Sequence, residues 1–439
     1  MGLRRIARFF AGCAAATLVF GLVGTATPAF ADSGRSHNGD QGSDHDHHHG
    51  HHRGGALFVS PDGSDSAVGN SCDTANFTSI NDAIAAAPDG GTVVVCPGTY
   101  PGNVLVNKSL NLLGQDATID ATDMENGIWV VASDVHISGF TLENANGEGL
   151  LAGVDILADA GMLPASGPVL KDVTVEDNNV INNNKGFNGT EQGNCKYPGD
   201  CGAGIHFNVT TDSTMKGNTV TGNSDGVLLT DDYGPSSHNV IEDNVVNDNL
   251  SECGIVLPSH SSDAVTFDPT TFEVTAINPS MGGVYDNVVR DNIADGNGTN
   301  PAPPQFGGGG SGSGIGLFAS GPGSAVYNNL VIDNEASGNG LAGLAMHAHH
   351  PGGENIDGNV IVHNTFGTNN TGGDGFDGPP VTDFQTTGIA IFSVPTAHMV
   401  ISHNKIHDDE IGIWLSTTVD AQGLKHNHFK NVTTKVVTG

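Results

Sequence analysis

The residues whose types could do chemistry in this chain are two adjacent carboxylates, Asp231 and Asp232, and the imidazoles of His260, His347, His349 and His350. A carboxylate beside an imidazole orients it and raises its pKa, which suits the general acid or base of a hydrolase or lyase. Tyr233, next to Asp232, could donate a proton. Whether these groups meet depends on the scaffold that spaces them.

That scaffold is periodic. Gly226-Val227-Leu228-Leu229 has the pattern glycine, apolar, any, apolar, and the pattern returns at Gly127, Gly153, Gly204, Gly254, Gly314, Gly343, Gly388 and Gly412. An asparagine motif alternates with it, at Asn178, Asn218, Asn244, Asn292, Asn334, Asn364, Asn404 and Asn427. The shortest step from asparagine to glycine is 8 residues and from glycine to asparagine 14, so a minimal turn has 22, a solenoid period. Period-two alternation, β-branched runs and no helical periodicity make each turn a coil of short strands. Stacked coils bury an inner face that one coil cannot bury alone. Asparagine tolerates a left-handed corner, and its amide can bond to equivalent asparagines above and below. The expected fold is all-β, a right-handed parallel β-helix of roughly ten to eleven coils with an asparagine ladder at one corner.

If the residues one and three places after each glycine face inward, those at plus two, plus four and, beyond the strand, plus six face outward. The plus-six column contains Asp232 and His260 on consecutive coils, about 4.8 Å apart. They are the expected catalytic pair, supported by Asp231, His347 and His349. Outward His206, Phe318, Phe392 and Trp414, together with Tyr233, form the expected substrate-binding set, since outward rings can stack on sugar faces. Insertions at 185–203, 298–313 and 371–387 precede this sheet and one at 261–281 follows it, walling a groove. Polar side chains on a solvated sheet need no function, and rings can equally pack under loops.

Along the chain, residues 1–31 carry Arg4, Arg5 and Arg8, an apolar middle and Ala29-Phe30-Ala31, which fits a secretory signal cut before Asp32. No later stretch is long and apolar enough to cross a membrane. A secreted protein without membrane insertion is expected. Residues 32–55 form a linker whose His47, His48, His49, His51 and His52 bind transition metals weakly, or serve only as a solvated tether. The folded domain spans 56–439. Thr78 or Ser79 caps a short helix through Ala87 that covers the open end of the coil, and Thr92-Val93-Val94-Val95 is the first strand. Cys72 and Cys96 flank this helix and Cys195 and Cys201 bracket one loop, two disulfides that an oxidising compartment allows. Cys253 is left over as a buried free thiol.

The chain has 48 acidic against 15 basic residues, a net charge of −33, or −36 once residues 1–31 and their three arginines are removed. Nucleic acid is excluded as a partner, because phosphate neutralisation needs Lys and Arg. A polyuronate would need intervening cations, so calcium is a possible cofactor. Gly372-Gly373-Asp374-Gly375-Phe376-Asp377 matches one calcium-binding unit, but such units work in stacked copies, and this one reads as an acidic loop.

Phe77-Thr78-Ser79-Ile80-Asn81-Asp82-Ala83-Ile84, Pro88-Asp89-Gly90-Gly91-Thr92-Val93-Val94-Val95, Pro97-Gly98-Thr99-Tyr100 and Lys108-Ser109-Leu110-Asn111-Leu112-Leu113-Gly114 resemble the opening of pectin-lyase-like β-helix proteins. The later repeats are similar to those of secreted bacterial β-helix proteins, including periplasmic accessory proteins of nitrous oxide reductase. The resemblance covers roughly residues 56–437 and implies the fold and a polysaccharide partner on the glycine-motif sheet; it leaves the reaction open. Calcium-dependent pectate lyases use a basic residue beside acidic ligands, whereas Arg290 falls near the opposite corner. Polygalacturonase-like hydrolases are resembled in part by Asp231, Asp232 and His260, without their other motifs. Two classes stay open: a carbohydrate-active lyase or glycoside hydrolase acting on a polysaccharide, and a non-catalytic β-helix binding glycans, metal or a cell-surface partner.

Overall fold

The computed structural model describes residues 55–63, 69–153, 169–184, 202–232, 234–259, 265–267, 274–277, 282–300, 311–319, 321–350, 353–371 and 386–439. Its strands stack coil upon coil into parallel sheets along a solenoid, apart from one antiparallel pair, Val265–Phe267 with Val274–Ile277. The glycine-motif sheet has eleven strands, a broad sheet has sixteen, and shorter five- and four-stranded sheets lie at corners. Neighbouring coils of the glycine-motif sheet are offset by 22 residues where Ile205 pairs with Val227, and an earlier turn is tighter, with Val93 opposite Leu112 at an offset of 19.

The apolar alternation builds the core directly. Ile205 and Phe207, Val227 and Leu229, and Ile255 and Leu257 are fully buried in one cluster that runs through the stack. Each such side chain contributes roughly 1.5–3 kcal/mol. The motif glycine has a packing reason: a Cβ at Gly226 would sit 2.1 Å from the Gly254 carbonyl oxygen and 2.4 Å from Val246. One repeat is corrected. The strand paired with Trp129 is Leu150–Ala152, with Trp129 opposite Leu151, so the motif glycine of that coil is Gly149. Gly153 follows the strand with φ +132.

The asparagine motif is a continuous ladder. The backbone N–H and Nδ2 of Asn178 both donate to Asn218 Oδ1, and the pattern passes on through Asn244, Asn292, Asn334, Asn364 and Asn404 to Asn427 at 2.9–3.1 Å. Two more ladders flank it. One runs Asn239, Asn287, Asn329, Asn359, and the other runs Asn183, Asn223, Asn249, Asn297, Asn339, Asn369 and ends on Asp409. Along the middle of the Asn178-to-Asn427 ladder the left-handed residue is not the asparagine, as expected from sequence, but the residue before it: Asp243, Asp291, Asp333, His363 and His403 have φ between +55 and +61. That division lets the preceding residue turn the chain while the asparagine amide points into the stack.

Asn244→Leu should therefore destabilise the coil. Asn244 Nδ2 donates to Met215 O and Asn292 Oδ1, and its Oδ1 accepts from Asn218 N and Nδ2. Leucine leaves those buried groups unpaired, at a cost of about 1–3 kcal/mol. A lowered Tm by circular dichroism is expected, and an unchanged Tm would remove the ladder's energetic role.

The N-terminal end is covered by the helix Ile80–Ala86, where Ser79 Oγ accepts from Asp82 N at 3.2 Å. Its Ile80, Ala83 and Ile84 join the core. Thr92–Val95 is not the first strand in the chain, because Leu57–Val59 precedes it and pairs alongside Gly91–Val95. Cys72 and Cys96 form a disulfide with Cα atoms 5.5 Å apart. Cys253 is disulfide-bonded, which corrects the free thiol expected there. Cys195, Cys201, the signal segment and the histidine tract of His47, His48, His49, His51 and His52 lie outside the described residues. No described helix is long and apolar enough to cross a membrane.

Candidate functional site

Asp231 and Asp232 follow the strand Asp225–Thr230, and the structure divides them between two networks. Asp231 is fully buried. Its Oδ2 accepts from Ser259 Oγ at 2.7 Å and Gly283 N at 2.5 Å, while Ser259 Oγ accepts from Ala325 N at 2.8 Å. These bonds tie three coils together where they leave the glycine-motif sheet. Asp231, expected to support catalysis, is thus engaged inside the wall, one residue before Asp232.

Asp232 belongs to a second network on the outer side of the sheet. Thr230 Oγ1 donates to Asp232 Oδ2 at 2.9 Å, and Asp232 N donates to Asn208 Oδ1 at 3.3 Å. His206, one coil away, places Nε2 2.8 Å from Thr230 Oγ1 and Nδ1 2.6 Å from Glu148 Oε1. Thr230 gives its only proton to Asp232, so His206 Nε2 must be the donor in its bond to Thr230. The 2.6 Å bond to Glu148 then holds one proton, carried either by an imidazolium or by a carboxylic acid. The result is a continuous chain, Glu148 to His206 to Thr230 to Asp232, in which His206 Nε2 and Thr230 Oγ1 both donate towards Asp232. Glu148, His206 and Thr230 are buried to 2% exposure or less, and Asp232 retains 8%. A buried donor chain that opens at a carboxylate is suited to move a proton at that carboxylate.

His206 therefore has a different place from the substrate-binding one expected, since both ring nitrogens are engaged inside the wall. Glu148 and Thr230 were missed by sequence reasoning. Thr230 stands at plus four in its repeat, and Glu148 directly precedes Gly149; taking Gly153 as the motif glycine hid it.

His347 and His349 form a separate cluster. His347 lies in register with Phe318 on one side and Phe392 on the other. Its ring centroid is 4.2 Å from that of Phe318 and 4.6 Å from that of His349, which is 5.2 Å from that of Phe392. Burial, with His349 adding to it, holds His347 well below the ordinary imidazole pKa. Burial and His350 bring His349 down to about 4. Both shifts favour the neutral imidazole. Burial pushes Glu354 up to about 7 against the main-chain N–H groups of His350 and His349. Three coils separate Asp232 from His347, roughly 14 Å at the usual strand spacing. The expected catalytic set is thus split in two. His260 and Tyr233 lie outside the described residues.

The outer sheet face is more closed than an open groove. Leu228, Val256, Phe318, Ala345, Ala390 and Trp414 form a buried apolar cluster, which corrects the expectation that Phe318 and Trp414 are displayed; Phe392 is half-buried beside them. Arg290 is held on the broad sheet by Glu242, which also takes Lys216 Nζ at 2.9 Å, so it stands apart from this face. No group of three or more His, Cys, Asp or Glu side chains among the described residues is arranged to hold a metal ion.

Comparison with known proteins follows the geometry. A 70-residue stretch is 41% identical to a cell surface glycoprotein of Methanothermus fervidus, covering 15% of this chain and 12% of that protein; the chain thus spans about an eighth of the curated relative it matches. Among solved structures, a pectate lyase is 15% identical over 84% of this chain and 78% of its own, with a TM-score of 0.46. The Dettilon tailspike protein is 11% identical over 80% and 64%, with a TM-score of 0.40. Residues 102–329, just over half the chain, match the family described as right handed beta helix region. With parallel coils continuing on both sides of that match, the chain belongs to the right-handed β-helix family.

Proposed function

We propose that this chain is a secreted, carbohydrate-active β-helix protein that acts on a polysaccharide at the glycine-motif sheet, by lyase or glycoside hydrolase chemistry, with Asp232 as its proton-transfer group. The observation that carries this reading is the buried hydrogen-bonded chain from Glu148 through His206 and Thr230 to Asp232. Such a wall-buried relay has no packing advantage over apolar residues of similar size. The regular spacing of coils suits a linear polymer, and the strong acidity, 48 acidic against 15 basic residues, argues against polyanions other than those bridged by cations. The test is a polysaccharide panel assayed for new reducing ends and for unsaturated uronate, with calcium and with EDTA. Product from at least one polymer is expected.

A second reading, a non-catalytic β-helix that binds a glycan or a cell-surface partner, is favoured by one observation, the burial of the outer apolar cluster around Phe318 and Trp414. Retention by a polymer without product, across the whole panel, would favour it and sink the first.

A further inference from the structure

The corner column just before the middle asparagine ladder changes chemistry along the solenoid. It reads Asp243, Asp291 and Asp333, and then His363, His403 and His426 on the last three coils, all of them exposed. The histidines stack. Ring centroids of His363 and His403 are 5.1 Å apart at 21°, and those of His403 and His426 are 5.3 Å apart at 30°. The backbone beneath them is fixed by the ladder Asn364, Asn404, Asn427 at 2.9–3.0 Å. Ser402 Oγ lies 2.6 Å from His403 Nδ1. When Nδ1–H donates to that hydroxyl, the tautomer is set and Nε2 carries the lone pair, the outer-shell arrangement that metal-ligating histidines use.

We propose that this histidine ladder is a surface site for one borderline first-row divalent ion, Zn²⁺, Ni²⁺ or Cu²⁺. Each binding mode uses two imidazoles from neighbouring coils, His403 with His363 or with His426, and water completes the coordination. Imidazole selects these ions over calcium and magnesium, which prefer oxygen. Metal–nitrogen distances of about 2.0–2.1 Å need the two nitrogens closer than the ring centroids now stand, and rotation of exposed side chains supplies that movement. The same need explains why no preformed group of three donors is present among the described residues. The bound ion would link residues far apart in sequence, across coil boundaries, so it binds the folded chain and stabilises it.

That linkage separates the ladder from the N-terminal histidine tract of the full chain. Ions held by a tract outside the coil leave Tm unmoved when folded and unfolded states bind them alike. The experiment measures Tm of the full EDTA-treated chain at pH 7.5 with added Ni²⁺ or Zn²⁺, and with Ca²⁺ as control. Wild type should gain roughly 2–4 °C with Ni²⁺ or Zn²⁺, reversibly by EDTA, and nothing with Ca²⁺. His403 is shared by both pairs and has φ +61, a conformation asparagine tolerates. His403→Asn should therefore fold and lose the shift. If it does not fold, the double variant His363→Asp, His426→Asn removes both partners of His403 and should lose the shift equally. A shift retained in these variants, or no shift in wild type at millimolar ion, would overturn the proposal.

Discussion

Asp409→Asn should stabilise this protein by about 3–5 kcal/mol at pH 8 and above, while leaving its stability near pH 3.5 unchanged. Asp409 occupies the last rung of an asparagine ladder. It is buried at 2% exposure, and its Oδ1 accepts from Asn369 N at 3.2 Å as an asparagine would. Its Oδ2 is buried with no hydrogen-bond partner, whereas Asn369 on the preceding coil uses its Nδ2 to donate to Ala336 O and Gly367 O. A protonated carboxyl imitates that donor and a carboxylate cannot. Burial accordingly pushes Asp409 up to about 8, opposed by the Asn369 N–H and assisted by the charge of Asp408. The unfolded chain releases this proton near the ordinary value of 3.8. The favourable contribution of the protonated rung is thus complete below pH 3.8, falls as pH rises, and is gone above about 8. Asparagine supplies the donor at every pH. Urea midpoints of both proteins between pH 3.5 and 9 should diverge over that window, and parallel curves would show that Asp409 is ionised in the folded state.

That rung also shows what could be read from sequence and what could not. The middle ladder was legible because its asparagines alternate with the glycine motif. The flanking ladders were written as plainly, five residues to either side, in Asn239, Asn244 and Asn249 and again in Asn287, Asn292 and Asn297. A single spacing between the asparagine and glycine motifs marks one corner only, and the flanking asparagines stand outside that spacing. The left-handed turn was assigned to asparagine on intrinsic tolerance, yet aspartate and histidine share that tolerance, and a buried amide is needed more in the stack than at the bend. Glu148 was lost to a four-residue slip between Gly149 and Gly153, two glycines each followed by an apolar residue. Only the pairing partner across the coil, Trp129 opposite Leu151, tells them apart. The burial of Phe318 and Trp414 was not legible at all, since plus-two and plus-four positions state which way a side chain leaves the sheet and not what else covers it.

Within the proposed function, the relay gives the largest expected effect on rate. Asp232→Asn keeps size and removes the basic oxygen, and should lower kcat on the identified polysaccharide by about 100- to 10,000-fold, the usual contribution of a general acid or base. Thr230 is a positioning residue, and it separates the relay from mere packing. Thr230→Val conserves shape, removes the hydroxyl between His206 and Asp232, and should cost roughly tenfold to a hundredfold, the value of a hydrogen bond to a charged group. Thr230→Ser returns the hydroxyl and should return most of the rate, which a purely structural loss would not predict. Under the same proposal, His260→Ala, at the plus-six position of the next repeat in the sequence, is expected to lower turnover by at least the lower part of the acid–base range. Matched circular dichroism and Tm establish that each variant is folded. Full activity in folded Asp232→Asn would remove the site from the glycine-motif sheet. Full activity in Thr230→Val, with Asp232→Asn dead, would leave Asp232 catalytic and reduce the Glu148–His206–Thr230 chain to scaffolding.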